Sequence, residues 1–249
     1  MTTFLLVPGL CMGGWAWEAV AAELTARGHR AVPVTLPGLG EGENKEGENK
    51  EGEGRSVGLA EHTAAVVALL DAQGPGVVLV AHSYGIFPAL SAADRRPEQV
   101  ARVVFVDTGI PEDGESVVDS LVGASLLSAI EGGVIPVPRE PAGVPAAELA
   151  RYHRLAVPHP AATVTDPVEL TGAWRKLPTT GVFCLENGLS LEVVRALHAT
   201  GDPRFAKLAE PGVTFFEMAT GHFPMLSAPV ELADVLVRAA AGEGAGLYA

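Results

Sequence analysis

The stretch "VVLVAHSYG", residues 77–85, decides the fold. Its first five residues are apolar and mostly β-branched, which predicts a strand covered on both faces of a sheet. The residues that follow predict a sharp turn at Ser83, and "SYGIFPALSAADRRP" then predicts a helix. Small residues tolerate such a turn, and Ala81 and Gly85 are both small. Strand, turn and helix together form an elbow that exposes a serine at the edge of a sheet.

Outward from this elbow, short β-rich runs alternate with Ala- and Leu-rich segments of helical period. This alternation predicts an α/β fold with a mainly parallel, doubly wound sheet, and we expect a single domain over 1–249. The predicted strands are nearly all apolar and lie at 4–7, 31–35, 77–81, 103–107, 181–186 and 213–218. The predicted helices lie between and after them, at 16–27, 58–73, 84–94, 190–199 and 229–241.

Two segments depart from this alternation. Residues 111–178, after the fourth predicted strand, carry many prolines and helical patches such as "AAELARYHRL" but no strand signal. We predict a helical lid subdomain there, over the edge of the sheet at which open α/β proteins bind ligands. Residues 41–54, "EGENKEGENKEGEG", repeat "ENKEG" and contain no apolar residue, which predicts a flexible acidic loop.

The composition excludes several kinds of partner. The net charge of −13, from 17 basic and 30 acidic residues, argues against nucleic acid and against an anionic membrane surface. No stretch approaches the roughly 20 apolar residues that span a bilayer, and "MTTFLLVPGL" does not resemble a signal peptide. Cys11 and Cys184 are expected to be buried reduced thiols. We therefore predict a soluble cytoplasmic protein, and the sequence leaves a homodimer open.

A serine hydroxyl is a weak nucleophile until a base removes its proton, and His222 is the candidate base. In "FFEMATGHFPML" it follows the last predicted strand, in the chain order Ser then His that the elbow architecture uses. We expect the other histidines to be surface or packing residues: His29, His62 and His198 on the surface, His153 and His159 in the lid on the surface or near substrate, and His82 packed.

The developing negative charge on a reacting carbonyl needs two backbone N–H donors, an oxyanion hole. One candidate is the amide of Tyr84, directly after Ser83. The second candidate is the amide of Leu10, in the glycine-rich segment "VPGLCMGGWAW" after the first strand. The glycines of this segment let the backbone approach a substrate closely.

Four motifs together resemble the α/β-hydrolase superfamily, and in particular its methylesterase and hydroxynitrile-lyase-like branch: "FLLVPGLCMGGWAWEAVAAELTARGHRAVPVTLPGLG", "LVAHSYG", "VVFVDTGIPEDGES" and "GHFPML". The match covers nearly the whole chain except the 41–54 repeat and much of the lid. The resemblance implies a Ser-His-acid triad, an esterase-type reaction on a small-molecule substrate, and neither a cofactor nor a metal.

Some positions depart from the family pattern. The first strand of relatives usually ends in His-Gly, whereas this chain has Pro8 and Gly9. The lyases of the branch carry a Lys after the catalytic His and a Thr in the oxyanion loop, where this chain has Phe223 and Gly9. Cyanohydrin cleavage needs a cationic group for the departing cyanide, so that activity is disfavoured.

The acid of the triad is the largest departure. Relatives usually supply an Asp just past the penultimate strand, where "VFCLENGLSLE" places Asn187 with Glu186 beside it. The other candidate is Asp107, at the end of the strand next to the nucleophile strand, about 4.8 Å from it. We favour Asp107, then Glu186, then a Ser-His dyad assisted by Asn187.

The favoured function is therefore a serine hydrolase that cleaves a small, largely apolar ester, thioester or lactone through an acyl-enzyme. One alternative is a cofactor-free lyase, isomerase or cyclase in which His222 acts as base and Ser83 orients the substrate. Another is a binding module that kept its pocket and lost turnover.

Overall fold

A computed structural model describes residues 1–40, 57–120, 123–139, 141 and 143–248. The acidic loop predicted at 41–54 lies outside the described residues. Among the described helices, none combines the length and the apolar composition that crossing a membrane would require.

One sheet organises the molecule. Its six strands pair in parallel, and in chain order they are β1 (Thr3–Val7), β2 (Arg30–Pro33), β3 (Val77–His82), β4 (Val100–Val106), β7 (Thr179–Cys184) and β8 (Val213–Met218). Their order across the sheet is β2-β1-β3-β4-β7-β8. The register pairs Ala81 with both Val7 and Phe105. The carboxyl ends of β1, β3 and β4 are therefore aligned, and the residues that follow them meet at one edge.

Helices cover both faces of this sheet. They are α1 (Glu18–Ala26), α2 (Leu59–Gln73), α3 (Ile86–Arg95), α4 (Ala124–Ala129), α5 (Ala146–Leu155), α6 (Ala162–Thr165), α7 (Leu191–Ala199), α8 (Pro224–Ser227) and α9 (Pro229–Ala240). Short 3₁₀ turns lie at Gly14–Trp17, Ser83–Gly85, Pro97–Gln99, Val117–Asp119, Ala173–Lys176, Leu185–Asn187 and Pro203–Ala209.

Two apolar layers form because successive strand residues point to opposite faces of the sheet. Leu5 and Leu79 join one buried cluster, whereas Leu6 and Val80 join the other. The predicted α/β class with a doubly wound parallel sheet is confirmed.

The interval between β4 and β7 holds three of the described helices, α4 to α6, and a small two-stranded antiparallel sheet. Its strands, β5 (Val134–Ile135) and β6 (His159–Pro160), pair Ile135 with His159. The prediction that this interval contains no strand was wrong, because two-residue strands leave no period-2 pattern in the sequence. Arg151 on α5 attaches the interval to the rest of the fold: its Nη2 donates to the Trp15 carbonyl at 2.8 Å and to Glu18 Oε2 at 2.6 Å.

Candidate active site

The elbow holds Ser83 in a backbone conformation that side chains rarely adopt. β3 ends at His82, Ser83 has φ of 51°, and α3 follows after the turn Ser83–Gly85. A Cβ added at Gly85 would lie 2.6 Å from the Pro8 carbonyl oxygen and 3.0 Å from that of Val7. The turn thus fits against the end of β1 only because residue 85 is glycine.

His222 bridges Ser83 and Asp107. Its Nε2 lies 3.1 Å from Ser83 Oγ, and its Nδ1 lies 2.6 Å from Asp107 Oδ2. With the Nδ1 hydrogen donated to the carboxylate, Nε2 is left free to accept the serine proton. The His222 carbonyl accepts a hydrogen bond from His82 Nε2 at 2.7 Å, which anchors the loop after β8 to the elbow.

Asp107 is the carboxylate that the fold brings to His222. It directly follows β4, has φ of 49°, and its side chain is fully buried. Its Oδ1 accepts the Cys184 N–H at 3.1 Å, and its Oδ2 accepts from Asn187 Nδ2 at 2.7 Å. Burial by itself would raise the pKa of Asp107, but the hydrogen bond and charge of His222 and the Cys184 amide lower it on balance.

The other two acid candidates lie differently. Asn187 is exposed, and its Nδ2 lies 3.4 Å from His222 Nδ1 as well as within reach of Asp107. Glu186 is also exposed, and within the described chain no hydrogen bond or ion pair joins its carboxylate to His222. The arrangement is an acid–imidazole–hydroxyl chain with an amide donor at the acid.

The two candidate oxyanion donors flank Ser83. Tyr84 is the second residue of the helical turn that starts at Ser83, and first-turn amides of a helix have no intrahelical acceptor. No acceptor for the Leu10 amide is found in the described parts of the chain. A Cβ on Gly9 would approach Ser83 Cβ to 3.1 Å and His82 Nδ1 to 2.8 Å, so the Leu10 segment lies directly against the elbow.

Two histidine predictions were wrong. His62 and His159, expected on the surface, are both 0% exposed. His62 shares one face of α2 with the buried Leu59 and Val66, three residues before and four after it, and that spacing could have revealed its burial. His159 sits between prolines in "VPHPA", which offers no periodic signal. The expectation that His82 is packed agrees with its 0% exposure.

Cys11 and Cys184 are buried and free, as predicted. Desolvation raises the pKa of each thiol to about 12, so neither is a ready nucleophile. Across the described residues, no group of three or more His, Cys, Asp or Glu side chains is arranged to hold a metal ion.

The model of the alpha/beta hydrolase family matches residues 4–235, and the chain belongs to this family. A carbendazim hydrolyzing esterase from Nocardioides sp. (strain SG-4G) is 30% identical over 95% of this chain and 98% of its own. Methylesterase 7 from Arabidopsis thaliana is 36% identical over 44% of this chain and 40% of its own. The predicted resemblance to the methylesterase-like branch is confirmed.

Solved structures share the fold along almost the full length. An extracellular alpha/beta-hydrolase from a Paenibacillus species superimposes with a TM-score of 0.75 at 21% identity, over 96% of this chain and 99% of that one. The methylesterase MES16 from Arabidopsis gives a TM-score of 0.73 at 17% identity, over 97% and 99% of the two chains.

Proposed function

We propose that the protein is a serine hydrolase that cleaves a small, largely apolar ester, thioester or lactone through an acyl-enzyme. The observation that carries the proposal is the continuous hydrogen-bonded chain from Asp107 through His222 to Ser83 at the carboxyl edge of the sheet. The esterase names of its relatives support the same reaction class.

In this mechanism Ser83 Oγ attacks the substrate carbonyl carbon while His222 Nε2 takes the hydroxyl proton. Asp107 holds the tautomer with hydrogen on Nδ1 and stabilises the imidazolium that forms. The amides of Leu10 and Tyr84 donate to the oxygen that becomes negative. His222 then gives its proton to the leaving alcohol or thiol, and a water molecule releases the acid by the same steps.

The chemistry of the acyl and alcohol groups is proposed from the relatives and from the surroundings of the site. Phe223 follows His222 with its ring 5.0 Å from the imidazole, and Tyr152 packs 6.4 Å from Phe223. These aromatic neighbours favour an apolar substrate. A test panel should therefore contain methyl esters, p-nitrophenyl esters, a thioester, a lactone and carbendazim.

The test compares the wild type with Ser83→Ala and, as a matched control, Ser128→Ala, whose hydroxyl lies in the exposed part of α4. We expect Ser83→Ala alone to abolish both ester hydrolysis and labelling by a fluorophosphonate. Equal labelling of wild type and Ser83→Ala would disprove the assignment. Turnover without an acyl-enzyme in intact-mass spectra would favour the lyase alternative, and ligand binding without any turnover would favour the binding module.

We also propose a cytoplasmic location, which the two buried free cysteines support. A homodimer is the assembly to test, by light scattering of the purified protein at several concentrations.

A further inference from the structure

We propose that a buried polar cluster, made of the side chains of His62, Tyr84 and His159 and the main chain of Cys11, positions both amide donors of the oxyanion hole. His62 and His159 are positioning residues in this proposal, since they act through Tyr84 and Cys11. The inference rests on the proposed function, because it assigns a role to Leu10 and Tyr84 in the same reaction.

The first half of the cluster holds Tyr84. His62 Nε2 lies 2.8 Å from the Pro37 carbonyl oxygen, which can only accept, so Nε2 carries the hydrogen. In the neutral ring Nδ1 is then an acceptor, and the Tyr84 hydroxyl, 2.7 Å away, donates to it. Burial lowers the pKa of His62 to about 4, which keeps the ring neutral at pH 7. The side chain of Tyr84 is thereby fixed to α2.

The second half holds the residue next to Leu10. The Cys11 N–H donates to His159 Nδ1 at 3.2 Å, and the Cys11 carbonyl accepts the Val157 N–H at 3.1 Å. Both main-chain polar groups of Cys11 are thus held by the segment that ends in β6. Cys11 has φ of 63°, a conformation that a non-glycine residue keeps only when its surroundings impose it.

The two halves meet at the ring of His159. Its centroid lies 4.5 Å from that of Tyr84 at an interplanar angle of 75°, and 5.8 Å from that of His62. The three side chains are at most 2% exposed. His159 therefore contacts the ring of Tyr84 directly and reaches Leu10 through the neighbouring residue Cys11. A shift of β6, which carries His159, would thus move the amides of both Tyr84 and Leu10.

Loss of this support should act on the transition state more than on substrate binding. The two amides are aimed at charge that develops only during the reaction, and such donors change kcat rather than KM. Misplacing a catalytic group by about 1 Å can cost roughly 100-fold in rate. We therefore expect a fall of about 10- to 100-fold in kcat with KM nearly unchanged.

The experiment compares His159→Leu, which removes the acceptor for the Cys11 amide, with His159→Asn, whose Oδ1 can occupy the place of Nδ1. The matched control is His198→Leu, the same substitution at a histidine outside the cluster, where it removes the 2.7 Å hydrogen bond between His198 Nδ1 and the Tyr248 hydroxyl at a more exposed position. We expect His159→Leu to lose about 10- to 100-fold in kcat on p-nitrophenyl acetate, His159→Asn to recover most of it, and the control to match the wild type.

Tyr84→Phe tests the other half with a smaller disturbance, since it deletes one hydroxyl and keeps the ring. It keeps the test decisive if His159→Leu fails to fold. We expect a loss of about 3- to 30-fold in kcat, below the cost of removing a whole oxyanion donor, which is about 100-fold or more. Wild-type kcat in Tyr84→Phe and in every His159 variant that folds would overturn the proposal, as would equal losses in the His198→Leu control.

Amide hydrogen exchange separates this inference from the proposed function, because it needs no catalysis. Faster exchange in the peptides that contain residues 9–13 and 83–87 is expected in His159→Leu, with wild-type exchange in β7. Unchanged exchange in both peptides would overturn the positioning role even if Ser83→Ala proves inactive. Accelerated exchange together with a fully active Ser83→Ala would instead retain the positioning role and disprove the serine mechanism.

Discussion

Three residues at the sheet edge share an uncommon backbone conformation. Among the described residues, the non-glycine positions with positive φ are Cys11, Ser83 and Asp107. They come shortly after β1, β3 and β4, which are neighbours in the sheet. Left-handed conformations cost roughly 1–2 kcal/mol per residue, and such strain clusters at functional sites. The backbone conformation at this edge therefore serves to orient side chains, and it lowers the stability of the fold locally.

The role proposed for Asp107 predicts a large effect of a nearly isosteric change. Asp107→Asn keeps the size of the side chain but removes the charge that stabilises the His222 imidazolium. We expect kcat to fall by about 10⁴-fold, the size found when a triad carboxylate is made neutral. Steady-state hydrolysis of p-nitrophenyl acetate measures it, and Glu186→Gln serves as the control that should keep wild-type activity.

Asn187 allows a sharper form of this prediction. Its Nδ2 lies 2.7 Å from Asp107 Oδ2 and 3.4 Å from His222 Nδ1, so a carboxylate at 187 would reach the same imidazole. In the double variant Asp107→Asn/Asn187→Asp we expect at least about 10-fold of the lost kcat to return, because the opposite charge beside the imidazolium is restored. A double variant no more active than Asp107→Asn would contradict the prediction that a carboxylate at position 187 can act on His222 in place of Asp107.

The sequence predicts some of these residues better than others. Ser83 and His222 follow from the elbow and from the chain order around it. The choice between Asp107 and Glu186 does not, because both follow strands that lie side by side in the sheet. Which carboxylate turns toward His222 depends on the φ of 49° at Asp107 and on the amide of Cys184, and no local pattern encodes either.

At the scale of elements, the contact between the elbow and β1 sets the position of Ser83, the proposed nucleophile. Gly85 has a helical backbone conformation, with φ of −55°, so replacing it strains no dihedral angle. A Cβ there would instead meet the Pro8 and Val7 carbonyl oxygens and Val7 Cγ1, at 2.6, 3.0 and 3.2 Å. The glycine therefore serves packing between two elements rather than backbone freedom.

Gly85→Ala should consequently destabilise the protein by about 1–3 kcal/mol, the usual cost of overpacking. The matched control is Gly109→Ala, since a Cβ at Gly109 would meet nothing within 4 Å. Urea unfolding measured by circular dichroism gives both free energies of unfolding. An equal stability of the two variants would show that β1 moves aside at little cost.

The elements themselves were largely predictable because their apolar runs are long. The predicted strand at 213–218 coincides with β8, and the predicted helix at 190–199 differs from α7 by one residue. The two-stranded sheet of β5 and β6 was missed because each strand has two residues. Its pairing joins segments more than twenty residues apart, and that information is tertiary.

At the scale of the whole molecule, buried neutral histidines couple stability to pH. Burial lowers the pKa of His62 to about 4 and, together with the charge of His222, that of His82 to about 3. Burial also lowers the pKa of His159 well below 6.5. In each case the unfolded chain binds a proton at a higher pH than the folded chain does. The contribution of these histidines to the free energy of unfolding is therefore fully present above about pH 6.5, and it falls as the pH drops from 6.5 toward 4.

For His62 alone, this proton linkage lowers the free energy of unfolding by about 3 kcal/mol between pH 7 and pH 4. We expect the free energy of unfolding in urea to fall steeply over this range in the wild type. In His62→Gln the fall should be smaller by about that amount, although the variant starts from a lower stability at pH 7. Parallel pH profiles for the two proteins would refute a neutral buried His62.

The position of Asp107 directly after β4 has a consequence for synthesis on the ribosome. Ser83, the proposed nucleophile, and Asp107, the proposed acid, directly follow neighbouring strands that are made early, before the 111–178 interval. His222, the proposed base, follows the last strand of the sheet. A nascent chain can therefore pair β3 with β4 while it still has no base for Ser83. In the proposed mechanism Ser83 gains its base only after β8 has been made, so we expect a translation product truncated before residue 222 to be partly folded and unreactive.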